Sequence, residues 1–150
     1  MNLDNIANNH ALWSAIIAWT IAQSLKIPLD YLGTRSWNWA LLFSAGGMPS
    51  SHSALLVATT HAIGLYHGFD TPLFALAFAI SMVVVYDATG VRRQAGIQAQ
   101  KINVIIDELL RGHPVSEKTL REVIGHTPLE ALGGIFLGLL VTQGLWFFWK

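Results

Sequence analysis

The sequence contains no cysteine. That absence excludes a disulfide framework, a thiolate metal site and a cysteine nucleophile. Charge is scarce too. Only 12% of the 150 residues are Asp, Glu, Lys or Arg, about half the fraction usual in soluble proteins. The charges cancel to a net of zero, so no basic surface for a nucleic-acid partner is expected. The first ten residues hold Asp4 and neither Lys nor Arg. Without a basic start, the first apolar run is expected to stay in the mature protein rather than to be a cleaved signal. Internal repeats and low-complexity tracts are also lacking. Apolar residues dominate instead, at 53% of the chain with a mean hydropathy of +0.46. An all-α integral membrane helical bundle, one domain over residues 1–150, follows from that balance.

Four spans are expected, at about 10–27, 49–67, 72–89 and 128–148. Lys26 and Pro28 close the first, and Trp13 and Trp19 suit its interfaces. Residues 37–45 are too short to cross and rich in Trp, which fits an interfacial or re-entrant piece. The second span carries Thr59, Thr60 and His61, so other helices should shield it from lipid. Residues 94–112 place Ile97, Lys101, Val104, Ile105, Glu108 and Leu109 at helical spacings. They read as an amphipathic helix on the membrane surface, part of an insertion over 94–121 that includes a short helix capped by Ser116. Gly134 and Gly138 in the last span form a small-xxx-small pair suited to close packing.

With these spans, Lys26, Arg35, Arg92, Arg93, Lys101, Arg111, Lys118 and Arg121 fall on one side, eight of the nine Lys and Arg. The positive-inside rule makes that side cytoplasmic and puts both termini opposite. The same count brings the start of span two, the end of span three and the start of span four to one membrane face.

That face holds the chemistry. The run Gly46-Gly47-Met48-Pro49-Ser50-Ser51-His52-Ser53 is a glycine turn leading into a helix, with Pro49 at its first position and Ser50 or a neighbour as cap. The N–H groups and positive end of such a helix suit an anion, which makes Ser50 and Ser51 candidate phosphate-binding residues. His126 and Glu130 are i and i+4, so a helix puts them on one face. A carboxylate on one imidazole nitrogen fixes the tautomer and leaves the other as nucleophile or base. Arg92 and Arg93 offer guanidinium forks for phosphate oxygens. Asp87 and Glu122 are possible supporting residues, Asp87 by pairing with an arginine and Glu122 one turn from His126. Two histidines, a carboxylate and arginines suffice for phosphoryl transfer, so neither metal nor cofactor is expected.

The chain resembles the type 2 phosphatidic acid phosphatase superfamily, which also includes vanadium-dependent haloperoxidases. It is most similar to a divergent branch marked by GGMPSSHSA, here at 46–54, and YDATGVRRQAG, here at 86–96. The resemblance covers nearly the whole chain. The superfamily's Pro-Ser-Gly-His signature is matched by Pro49-Ser50-Ser51-His52, with Ser51 in place of Gly. The end of its Ser-Arg-x5-His-x3-Asp signature is matched by His126 and Glu130, with Glu for Asp. The resemblance implies that His126 is the nucleophile that forms a phosphohistidine, Glu130 its orienting partner and His52 the general acid. Ser-Arg is missing five residues before His126, so Arg92 or Arg93 takes that place. Lys26 and Arg35 stand for the Lys-x6-Arg-Pro signature, with eight residues between them and Ser36 where Pro is usual.

The expected activity is hydrolysis of a phosphate monoester or diphosphate of a lipid or a small molecule, at the cytoplasmic face. The altered signatures leave a second reading: a membrane protein that keeps the fold, binds anionic lipid or phosphate, or serves as an assembly partner. A transporter fits less well, because the ionisable residues gather at a membrane edge and not at the midplane. Four spans are few to enclose a site, so a homodimer through Gly134 and Gly138 or the first helix is expected.

Overall fold

The computed structural model describes residues 6–44, 46–110 and 126–149, with only the backbone of Arg92, Arg93, Glu108 and Leu110. The long α-helices among the described residues are α1 His10–Thr34, α2 Ser51–His67, α3 Pro72–Thr89, α4 Val91–Leu110 and α5 Pro128–Trp149. A 3-10 turn, Trp39–Phe43, lies between α1 and α2. No strand occurs among the described residues, so the fold is an all-helical bundle.

Each helix start has a local cause. Asn9 accepts the Leu12 N–H and caps α1, Ser50 accepts the Ser53 N–H and caps α2, and Thr71 accepts the Phe74 N–H and caps α3. Pro72 sits in the first turn of α3, where its missing N–H costs nothing. Pro49, expected inside α2, lies one residue before the Ser50 cap. Its place is still outside the hydrogen-bonded helix, which is what a residue without an N–H requires.

Lys26 and Pro28 do not end α1. The helix runs through Pro28 to Thr34, and Arg35 closes it in the left-handed conformation with φ 57°. A proline removes one backbone hydrogen bond, and a long packed helix tolerates that loss. At the other boundary, α4 begins at Val91, directly after Gly90, and the last described residue of the expected 94–121 insertion is Leu110. The expected helix capped by Ser116 lies outside the described residues.

The helices meet through small residues. Ala18 and Ala22 of α1 and Ala54 and Ala58 of α2 form the buried cluster, with Leu137 and Val141 of α5 against it. A Cβ at Gly134 would overlap the Ser50 carbonyl, and one at Gly138 would stand 2.7 Å from the Ala54 carbonyl. These glycines therefore let α5 approach α2 within the chain. The small-residue face expected to join two copies is already occupied in one. Polar bonds tie the same helices: Thr142 Oγ1 donates to the Ala58 carbonyl at 3.2 Å, and His61 bonds Gln143 at 3.1 Å. Thr60 bonds Ser81 of α3 at 2.8 Å, which shields the polar residues of α2 as expected.

Outward faces are apolar. Leu73, Leu76, Ile80 and Val83 on α3, and Phe136, Leu140 and Phe147 on α5, are all exposed. Such a surface suits lipid and not water. Three described segments are long and apolar enough to cross a membrane: His10–Thr34, Pro72–Asp107 and Pro128–Trp149. The 17 residues of α2 stand at the short limit for a span, surrounded by α1, α3 and α5. Ring contacts give the polarity of the bundle. His10 stacks on Tyr66 and lies beside Trp149, so the start of α1 and the ends of α2 and α5 share one end. The Ser50 N–H bonds the Glu130 carbonyl at 2.9 Å, so the starts of α2 and α5 share the other.

Candidate active site

The site lies where α2 and α5 begin. Ser50 is fully buried and organises the entry to α2. Its hydroxyl accepts from the Ser53 N–H at 3.3 Å and from the Ser53 hydroxyl at 3.1 Å. Its own N–H goes to the Glu130 carbonyl, which fixes the start of α2 against the first turn of α5. Ser51 is buried beside it, and His52, the next residue, is exposed. Met48 and Pro49 lean on Gly133, where no side chain intervenes. The positive end of the α2 dipole thus faces the segment that carries His126.

His126 is 5% exposed. Its Nδ1 lies 2.8 Å from Glu130 Oε2. With Glu130 ionised, Nδ1 carries the proton and donates it to the carboxylate, which places the lone pair on Nε2. Nε2 is buried and has no hydrogen-bond partner among the described residues. A buried polar atom left unpaired costs about 1–3 kcal/mol, a cost that marks functional positions. The His52 ring centroid is 6.3 Å from that of His126, with the planes at 58°. The rings are too far apart to stack and close enough for one tetrahedral phosphate to touch both, given contacts of about 3 Å on each side.

Lys26 approaches from α1. Its side chain is 1% exposed. Its ammonium donates to the Ser44 carbonyl at 2.9 Å. Its stem lies against Gly47, whose φ of 90° needs a residue without a Cβ. Lys26 therefore holds the glycine turn that leads into Ser50. Gln23, three residues earlier and on the same helix face, completes the grip. Its Nε2 donates to the carbonyls of Leu41, Leu42 and Ser44 at 3.1, 2.7 and 3.2 Å. Sequence reasoning missed Gln23, although its i−3 spacing from Lys26 was a usable signal.

The other expected residues fall in three groups. Arg35 does not join the site. It is exposed, and nine residues of helix carry it about 13 Å along the axis from Lys26. Asp87 is half-buried in the last turn of α3 and Arg92 and Arg93 stand in the first turn of α4, at the same end of the bundle as His52. The arginine side chains are outside what is described, as is Glu122. No group of three or more His, Asp or Glu suited to a metal occurs among the described residues.

Comparison with known proteins settles the family. The model of the family described as "Divergent PAP2 family" matches residues 7–141. The chain belongs to the divergent PAP2 family. A relative in Bacillus subtilis strain 168, named as the uncharacterized membrane protein YuiD, is 36% identical over 154 residues. The match covers 95% of this chain and 98% of the relative. No solved structure matches the chain. Membership and the membrane relative agree with the apolar helices: this divergent PAP2 protein is a membrane protein.

Proposed function

We propose that the protein is a metal-independent membrane phosphatase acting through a phosphohistidine at His126. The observation that carries this reading is the buried His126 Nε2, unpartnered among the described residues, with Nδ1 bound to Glu130 and the His52 ring alongside. Nε2 attacks phosphorus while the bond to the leaving oxygen breaks, and His52 gives that oxygen its proton. Water then attacks the phosphohistidine, His52 takes the water's proton, phosphate leaves and Nε2 is restored. Glu130 keeps the tautomer and balances the charge that builds on the ring. The start of α2 stabilises the equatorial oxygens, with Ser50 and Ser51 shaping it and Arg92 or Arg93 adding charge. The substrate is a phosphate monoester or diphosphate, of a lipid where a chain is present. The sequence count that assigns eight of the nine Lys and Arg to the site's side supports a cytoplasmic location for it.

The test is phosphate release by purified protein in detergent, in the presence of chelator, from a lipid phosphate and from phenyl phosphate. Release that His126→Ala abolishes is expected; release that survives this substitution refutes the mechanism. A second reading has its own support. Arg35 lies away from Lys26, so one superfamily signature is not assembled as a phosphate clamp. A protein that binds phosphate without turnover would retain vanadate in equilibrium dialysis and release no phosphate from any ester.

A further inference from the structure

A groove of about 310 Å³ runs between α2, α3 and α5, below the histidine end of the bundle. Its walls include Val57, Met82, Val85 and Ile135, and Phe69, Phe74 and Phe78 line it toward the far end. The polar side chains on these walls are turned to other groups: Thr60 bonds Ser81, and His61 bonds Gln143. What remains for an occupant is apolar surface. The volume is at the lower bound of about 300–1,000 Å³ for small-molecule sites, room for one hydrocarbon chain and not two.

The depth of the groove follows from helix rise. Val57 stands five residues beyond His52 on α2, so the groove opens about 7.5 Å below the histidines. At its far end the Phe69 ring packs on Gly64 and makes contact with Phe74, at a centroid distance of 5.1 Å. Gly64 is twelve residues past His52, about 18 Å along the helix axis. One leaflet of hydrocarbon is about 15 Å deep. The aromatic floor thus lies one leaflet below the site, where a lipid chain anchored by its headgroup would end.

We infer that the groove receives the single hydrocarbon chain of a phosphorylated lipid, and that Phe69, Phe74 and Phe78 set the longest chain it accepts. This rests on the phosphatase reading for the position of the headgroup, and it names the substrate as a one-chain lipid phosphate. Val57 and Ile135, each five residues from a site residue (His52 and Glu130), carry the chain down the same two helices that hold the head.

The probe is lauryl phosphate with a diazirine at the chain end, irradiated with the purified full-length protein and mapped by peptide mass spectrometry. Adducts on Phe69, Phe74 and Phe78 are expected. Ile135→Trp and Met82→Trp fill the groove from opposite walls and should each lower that labelling about tenfold or more, while phenyl phosphate hydrolysis stays unchanged. Either variant decides the matter if it keeps the wild-type unfolding temperature. Labelling of the groove without hydrolysis of any ester upholds the groove and removes the phosphatase reading. Adducts on the outward residues Leu76, Ile80 and Val83, insensitive to both substitutions, overturn the groove even if hydrolysis is robust.

Discussion

At one end of the bundle His10 lies between Tyr66 and Trp149, with ring centroids 4.6 and 5.0 Å away. At the other, His126 Nδ1 is hydrogen-bonded to Glu130 Oε2 at 2.8 Å, and Nε2 is buried with no partner among the described residues. Both residues are imidazoles near a helix start, and both pack against aromatic or imidazole rings. The partner makes the difference. Aromatic faces give His10 apolar contact and no means to fix a tautomer, so it serves as packing. A carboxylate fixes the tautomer of His126 and supplies compensating charge, so its second nitrogen is available for bond formation. The count of histidines at each end says little; what each one is bonded to says much.

Substitutions can break this contrast. His126→Ala should give the largest effect, a fall in phosphate release of at least about a thousandfold, whereas His10→Ala should leave release unchanged. His52→Gln should lower release about 10²–10⁴-fold as a lost proton donor. Glu130→Gln should fall in the same range, because an amide can reverse the tautomer. Both are read by steady-state phosphate release in detergent. If His10→Ala lowers release as much as His52→Gln, the contrast between the two ends is wrong.

Two smaller effects concern the frame that holds the site. Gly134→Val should destabilise the protein by about 1–3 kcal/mol or more, since the new side chain meets the Ser50 carbonyl. Gly144→Ala, which meets nothing within 4 Å, should stay within about 0.5 kcal/mol. Thermal unfolding in detergent separates the two. Gln23→Leu should cost about 1–3 kcal/mol by taking the Gln23 donor from the Leu42 carbonyl, while the Leu41 and Ser44 carbonyls keep the Ser44 N–H and the Lys26 ammonium. An unchanged unfolding temperature in Gln23→Leu would mean that the 3-10 turn stands without the clamp.

Much of the site was readable where the signal was local. The i, i+4 spacing of His126 and Glu130 predicts their contact, and Ser50 before Ser51-His52-Ser53 predicts the cap, because helix geometry alone decides both. Long-range relations were not readable. Lys26 looks like the end of a span, yet it is buried beside a turn some twenty residues further on, and only the packing of that turn on α1 reveals its task. Gly134 and Gly138 announce a close helix contact, but the motif carries no statement about whose helix. Here it is α2 of the same chain, since the Ala54 and Ala58 face is equally small. Arg35 stood two residues beyond the signature spacing in the chain, and in space nine residues of helix carry it away from Lys26.

The central claim is that His126 Nε2 becomes covalently phosphorylated. The most direct measurement is rapid quenching at high pH during turnover of a lipid phosphate, followed by peptide mass spectrometry under conditions that preserve phosphohistidine. The account predicts an acid-labile phosphoryl group on His126, absent from His126→Ala. A phosphoryl group on any other residue, or steady phosphate release with none on His126, would contradict it.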